Sequence, residues 1–332
     1  MILAGDVGGT KTYLGLFEET DAGLRLVTSQ RYSTRQYASL GAMVREFLPG
    51  GSRLSAAAFG VAGAVVDGKA TMTNVPWTLD CAELTRELGL PCRLCNDLVA
   101  TATGISEITE DRLITLQQGV AGRKATAALI AAGTGLGECV LYWDGHKHVA
   151  MDSEGGMAGF APQDEQQAEL YRWMLRRVPV VSVERVLSGS GLVNIYEFLR
   201  ETTSHRSCGV EDEVSASQDK AGTIAAAAER NDCELCQRAL DMLLAIYGAE
   251  AGNLALRAMA LGGIYIGGGI AAKLRGPMQN GIFMRAFLQK DGLAELMSQL
   301  PVKVILEDRT ALFGAARVAA SSLNRDARAM GK

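Results

Sequence analysis

Residues 4–12 read Ala4-Gly5-Asp6-Val7-Gly8-Gly9-Thr10-Lys11-Thr12. An apolar start, Met1-Ile2-Leu3-Ala4, leads into them, and a second apolar run, Tyr13-Leu14-Gly15-Leu16-Phe17, follows at once. That order reads as a strand, a tight glycine turn and a returning strand. Glycines 8 and 9 permit positive φ and close backbone approach, so successive N–H groups can converge on one anion. Asp6 sets a carboxylate beside that pocket, where a hydrated Mg²⁺ can sit, and Thr10 adds a hydroxyl donor. The stretch suits a nucleotide phosphate; an ordinary glycine-rich hairpin is the alternative for the nonapeptide alone. It is not a Walker loop. The pattern G-x-x-x-x-G-K-[ST], laid on Gly5 to Thr12, needs glycine where Thr10 stands, and a strand rather than a helix follows the turn.

Composition bounds the rest. At 332 residues the chain is long enough for a large core and for two domains. Apolar content of 48% and charged content of 21% describe an ordinary globular protein. A net charge of −4 argues against nucleic-acid or acidic-membrane partners. An anionic substrate must then be held by local N–H groups and metal. Residues 251–270 are the most apolar long window, but Arg257 interrupts them and glycines cluster near their end, so no membrane span is expected. No basic-then-apolar leader opens the chain, so a cytoplasmic protein is expected. Seven cysteines, an odd number without a leader, are expected as free thiols. Two C-x-x-C pairs, Cys92/Cys95 and Cys233/Cys236, invite a zinc reading. The first lies on a strand, where positions i and i+3 face opposite sides. The second lies in a helical run, and no histidine is near either.

Along the chain, residues 24–33 predict a third strand, 40–48 a short helix and 55–62 a buried strand. Val65-Val66-Asp67-Gly68-Lys69-Ala70 carries an Asp-Gly hairpin turn. Asp80 with Glu83 forms a capping box that opens a helix to Leu88. A strand through Cys95 passes at Asn96-Asp97 into the next helix. The second half repeats the opening: strand 125–132, the turn Gly133-Thr134-Gly135-Leu136-Gly137, and strand 139–143. Helices are expected over 163–177 and 233–256, with an irregular loop over 202–213. A strand at 264–266 precedes Gly267-Gly268-Gly269, and a last strand (303–306) and helix (310–320) close the chain. Strands alternating with helices predict mixed α/β sheets covered on both faces.

Three glycine clusters, at 8–9, 133–137 and 267–269, each end an apolar strand. Ligands of open α/β sheets bind outside such strand ends. Two of these turns can grip a triphosphate and the third can receive the adenosine.

These residues resemble the bacterial glucokinase family, within the actin-like/hexokinase ATPase superfamily. The likeness runs through Gly5-Asp6-Val7-Gly8-Gly9-Thr10, Met72-Thr73-Asn74-Val75-Pro76-Trp77, Asn96-Asp97 and Gly133-Thr134-Gly135-Leu136-Gly137. It continues through Ser153-Glu154-Gly155-Gly156, Glu184-Arg185-Val186-Leu187-Ser188-Gly189, Gly252-Asn253-Leu254-Ala255-Leu256 and Gly267-Gly268-Gly269-Ile270. The resemblance implies two α/β domains of actin-like (ribonuclease H-like) type with mixed five-stranded sheets and a cleft between them. Residues 1–107 plus 307–332 would form the small domain and 108–306 the large one. It implies MgATP-dependent phosphorylation of the 6-hydroxyl of glucose or a related hexose, the entry step of glycolysis, by a homodimer. Asp97 would be the base that accepts the hydroxyl proton; taken alone, an Asn-Asp pair opening a helix reads as a cap. Asn96, Glu154 and Glu184 would bind the sugar hydroxyls, with Asn74 nearby. Gly5 to Thr10, with Gly133, Thr134 and Gly135, would hold phosphate. Gly267 and Gly268 would meet the adenosine, and Asp6 would hold Mg²⁺ through water.

One position departs from the family. Histidine and, two residues on, aspartate usually follow Glu-Gly-Gly; here stand Met157 and Gly159. Methionine donates no hydrogen bond and accepts only weakly, so Met157 weakens the expected sugar contact or retunes it to another hexose. The related repressor/kinase family carries a cysteine-rich zinc motif after its Glu-x-Gly-His, and its repressors an N-terminal helix-turn-helix; this sequence has neither. A non-enzymatic ATP-binding module would not need Asn96-Asp97 together with Glu154 and Glu184.

Overall fold

The structure, a computed structural model, describes residues 1–21, 23–48, 53–72, 75–204 and 208–330. Two compact units are present. One comprises Met1–Glu110, His148–Asp152 and Glu307–Lys332, the other Asp111–Lys147 and Ser153–Leu306.

The first unit begins with β1 (Ile2–Val7), β2 (Lys11–Thr20), β3 (Gly23–Ser33) and β4 (Ala56–Val61). A small antiparallel sheet follows, β5 (Val65–Val66), β6 (Lys69–Thr71) and β7 (Thr78–Asp80), turned at Asp67-Gly68, both with positive φ. Strand β8 (Cys92–Asn96) completes a five-stranded sheet in the order β3-β2-β1-β4-β8. Strand β1 runs antiparallel to β2 but parallel to β4, and β4 runs parallel to β8. The register pairs Val7 with Val61 and Val61 with Asn96. The carboxyl ends of three neighbouring strands therefore finish in one row, which sets Asp6 and Asn96-Asp97 on the same edge.

Helix Thr310–Met330 covers this sheet. Leu312, Ala315, Ala316 and Ala319 pack on Ile2, Ala4, Ala56 and Ala58, all buried. Small residues on both surfaces bring the helix close. A Cβ on Gly314 would stand 1.7 Å from the Ala100 carbonyl oxygen, so this helix also touches backbone to backbone the helix Asp97–Gly104. That contact anchors the helix on which Asp97 sits.

The second sheet has six strands, not five, in the order β12-β11-β10-β13-β14-β9. They are β9 (Leu113–Gln117), β10 (Ala127–Ala132), β11 (Leu136–Trp143), β12 (His148–Ser153), β13 (Gly263–Gly267) and β14 (Val302–Ile305). Two of them, β9 and β12, are not among the strands read from the sequence; mixed polarity hides β12. Parallel pairing of β10 with β13 puts Ala131 opposite Gly267, so these strands too finish side by side.

The 25-residue helix Glu234–Ala258 is long and apolar enough to cross a membrane, yet most of its apolar window is buried in the core. It is a core helix. Two expectations change nearby. The loop expected over 202–213 ends in a helix, Glu211–Ala216, and residues 205–207 lie outside the described residues. Cys208 and Cys233 form a disulfide across a separation of 25 residues, so these two thiols are not free and Cys233 is not available to zinc. Cys236 stays free and buried.

Candidate active site

In the first unit, Asp6 is the penultimate residue of β1 and is partly buried. Its pKa is pushed up to about 7, first by burial and then by the charge of Asp97; Asp308 adds to the rise and Lys11 opposes it. A carboxyl so placed holds its proton more tightly than an ordinary aspartate, and a nearby cation would favour its ionised form. Among the described residues no three His, Cys, Asp or Glu side chains converge as a chelating cage. The donor chemistry suits a Mg²⁺ ion that keeps most of its waters and meets one or two carboxylates.

The turn after β1 is held by its neighbours. Gly8 N–H donates to Lys11 O at 3.0 Å, and Thr34 N–H to Thr10 O at 3.0 Å. The Thr34 hydroxyl donates to Gly8 O at 2.7 Å and lies 2.9 Å from the buried Thr12 hydroxyl. Neither Gly8 nor Gly9 has positive φ, contrary to the sequence reading. Glycine is needed at 8 for space instead: a Cβ there would stand 2.9 Å from Lys11 O. Lys11 itself lies 5.6 Å from the centre of the Tyr13 ring.

Asn96 and Asp97 end β8 and open the next helix. Asn96 Oδ1 accepts from Leu98 N–H at 2.8 Å and Val99 N–H at 3.4 Å, and its amide donates to Gly63 O at 3.2 Å. Asp97 Oδ1 also accepts from Leu98 N–H, at 2.9 Å. The cap reading is thus structurally correct for Asn96, and it coexists with a binding role, since a second amide N–H remains. Capping fixes the helix start and with it the direction of the Asp97 side chain.

In the second unit, residues 133–135 form the turn between β10 and β11, and Leu136-Gly137 already belong to β11. Gly133 N–H donates to Gly135 O at 2.8 Å, and Gly133 O accepts from Gly189 N–H at 2.9 Å. Gly189 begins the helix Gly189–Thr202, capped by the buried Ser188, whose hydroxyl also donates to Glu184 O at 2.7 Å. Glu184 Oε2 in turn accepts from Leu136 N–H at 2.9 Å. The proposed sugar carboxylate and the second glycine turn are therefore one hydrogen-bonded assembly. Gly268 adjoins them with φ +82°, and a Cβ there would stand 2.3 Å from Ala132 O. Only glycine satisfies both conditions.

Glu154 is exposed and precedes the short 3₁₀ turn Gly155–Met157. Met157 and Glu184 line one cavity of about 330 Å³ with Pro179, Val180, Ser182 and Ser190. Met157 is 54% and Val180 61% exposed, so one wall is an apolar surface open to solvent. At Gly159 a Cβ meets nothing within 4 Å, so the missing family carboxylate leaves open space. Asn74 lies outside the described residues.

Sequence reasoning missed three members of these assemblies. Asp308 accepts from the Tyr13 hydroxyl at 3.0 Å and adds negative charge at Asp6. Tyr247, fully buried, accepts from Ala132 N–H at 3.2 Å and donates to Gly267 O at 3.2 Å, so it joins the ends of β10 and β13. Glu138, also buried, lies beneath Gly155. For Asp308 the only local signal is its place just before a helix start.

The chain is similar to known glucokinases along almost its whole length. The family description Glucokinase matches residues 3–322. A glucokinase of Nostoc sp. is 38% identical over 96% of this chain and 99% of its own length. That of Photorhabdus laumondii is 31% identical over 94% of each. Among solved structures, glucokinase from an Antarctic psychrotroph superposes with a TM-score of 0.82 at 26% identity, covering 96% of this chain and 98% of its own. A glucokinase of Balamuthia mandrillaris in complex with glucose shares the fold, with a TM-score of 0.73 at 20% identity over 96% and 93% of the two chains. The chain belongs to the glucokinase family and is a glucokinase-like, ATP-dependent sugar kinase.

Proposed function

We propose that this chain transfers the γ-phosphoryl group of ATP to the 6-hydroxyl of glucose, with Asp97 as the base. Phosphoryl transfer asks for positioning and charge neutralisation more than for covalent chemistry. Asp97 takes the hydroxyl proton as O6 bonds to the γ-phosphorus, the bond to the β-phosphate oxygen breaks, and ADP leaves. The observation that carries this reading is the shared edge of Asp6 and Asp97: two carboxylates at the ends of parallel strands one strand apart, close enough that the Asp97 charge raises the pKa of Asp6. Mg²⁺, held at Asp6 through water, would neutralise charge on the phosphates. The backbone of residues 8–10 and 133–135 would hold those phosphates. Residues 267 and 268 would meet the adenosine. Glu154 and Glu184 would accept hydrogen bonds from sugar hydroxyls, a task carboxylates suit because each oxygen accepts more than one. The family further suggests a cytoplasmic homodimer.

A second reading, a kinase for another hexose or hexosamine, is favoured by Met157. Its thioether stands where a neutral donor is expected, beside Val180 and next to the open space at Gly159. A coupled assay of MgATP turnover against a panel of hexoses tests both. Glucose as the best substrate supports the first reading, another hexose supports the second, and turnover with no sugar removes both.

A further inference from the structure

Glu138 occupies an unusual place. It lies on β11, is 2% exposed, and its Oε1 is buried without a hydrogen-bond partner. Its other oxygen lies directly under the turn that follows Glu154: a Cβ built on Gly155 would stand 2.2 Å from Glu138 Oε2 and 2.7 Å from Cδ. The same two segments are joined by hydrogen bonds. The Ser153 hydroxyl donates to Glu138 O at 3.0 Å and accepts from Gly155 N–H at 3.3 Å.

Every charged group that faces Glu138 comes from the core helix behind it. Glu250, 6% exposed, points at it, while Arg257 pairs with Glu250 from farther out. Asn253 Nδ2 donates to Glu250 Oε2 at 3.0 Å, and Lys290 Nζ donates to Asn253 Oδ1 at 2.6 Å. These partners hold Glu250 as an anion, and the side chain that Glu138 meets is Glu250 itself rather than a cation. Burial, first, and the Glu250 charge and hydrogen bond, next, raise the Glu138 pKa to about 7, with Arg257 opposing. A buried carboxyl without a cationic partner of its own is stable only with its proton.

We propose that Glu138 is a positioning residue for sugar binding: a buried, proton-bearing carboxyl that forms the floor under Gly155 and so fixes the place of Glu154. This rests on Glu154 being a sugar ligand. Loss of the proton puts a second negative charge beside Glu250 and beneath the Glu154 turn, and the turn must lift to let water reach it. Sugar affinity then falls as pH rises through neutrality, with the proton released from a residue that never touches the sugar.

Glucose dissociation constants measured by calorimetry without nucleotide, from pH 6 to pH 9, test this on the full chain. Wild-type protein is expected to bind about tenfold more weakly at pH 9 than at pH 6. Glu138→Gln, which keeps the shape and the neutral state, is expected to bind at the wild-type pH 6 level throughout. A Glu138→Gln profile parallel to wild type, or uniformly weak, overturns the proposal. Should Glu138→Gln not fold, the pair Gly155→Ala and Glu138→Ala/Gly155→Ala serves instead. The single change is expected to weaken glucose binding at least about tenfold by collision, and the double change to recover most of it. Equal losses in the two overturn the proposal. Glu154→Ala separates the underlying assumption. If it leaves glucose binding unchanged, Glu154 is no ligand and both ideas fall; if it weakens binding while the Glu138 variants behave as wild type, only the Glu138 role falls.

Discussion

Glu184 Oε2 accepts a hydrogen bond from the backbone N–H of Leu136 at 2.9 Å, so a carboxylate assigned to the sugar also braces the glycine turn assigned to the phosphates. The two jobs separate by substitution. In Glu184→Gln the side-chain amide oxygen still accepts from Leu136, but the charge that attracts sugar hydroxyls is gone. The KM for glucose should rise about 2- to 12-fold, the equivalent of about 0.5–1.5 kcal/mol, with the KM for ATP little changed. Glu184→Ala removes the brace as well, and both KM values should rise. Steady-state kinetics with each substrate varied in turn gives the answer; an unchanged ATP KM in the alanine variant would mean that the turn needs no brace.

The proton step proposed for Asp97 can be separated from its part in the fold. Its Oδ1 already accepts from Leu98 N–H, and asparagine can keep that contact. Asp97→Asn should therefore fold normally and bind nucleotide, as measured by calorimetry, while kcat falls by about 10²- to 10⁴-fold, the usual contribution of a general base. Retained turnover in the coupled assay would assign the proton to another group.

What could be read from the chain depended on whether the signal was local. Gly5 to Thr10 was legible because strand, turn and strand follow one another within a dozen residues, and Asp80 because its cap partners, Ala82 and Glu83, lie two and three residues on. Even there the reason for Gly8 was misread, since space rather than φ demands it. Asp308 was illegible because it meets Tyr13 across 295 residues of sequence. Cys208 and Cys233 carry no periodicity that would pair them, and the odd count of seven cysteines pointed to free thiols. Glu138 looks like any polar residue on a strand until Gly155 and Glu250 close over it. Long-range contacts of single side chains leave no pattern in the sequence that hydrophobic periodicity can report.

Tyr247 shows how such a contact can matter for stability. Its hydroxyl joins Ala132 N–H to Gly267 O between the ends of β10 and β13, where the structure is fully buried. Tyr247→Phe keeps the ring packing against Phe283, 5.6 Å away between centroids, and removes only the oxygen. A buried N–H left unpaired costs about 1–3 kcal/mol, which urea unfolding should report as a lower midpoint at unchanged slope. The KM for ATP should rise too, because both strand ends lead into glycine turns. A variant as stable as wild type would mean that water replaces the hydroxyl.

Met157 is the position at which the choice of sugar is best tested. It shares a cavity with Glu184, is 54% exposed, and lies in a turn whose backbone is fixed by Met157 N–H donating to Glu154 O at 2.9 Å. A histidine at this position would enter a preformed backbone with open space around it, so the change tests chemistry rather than folding. If the pocket keeps the family geometry, Met157→His restores a neutral hydrogen bond worth about 0.5–1.5 kcal/mol, and the glucose KM should drop by about 2- to 12-fold with kcat unchanged. If Met157 and Val180 instead form a surface for an apolar substituent, the same change should raise the KM for the preferred hexose and leave glucose no better. Kinetics of both proteins on glucose and on the best sugar from the hexose panel distinguishes the two: a lower glucose KM means a glucose pocket that lacks one donor, and a higher or unchanged one means a pocket rebuilt around methionine.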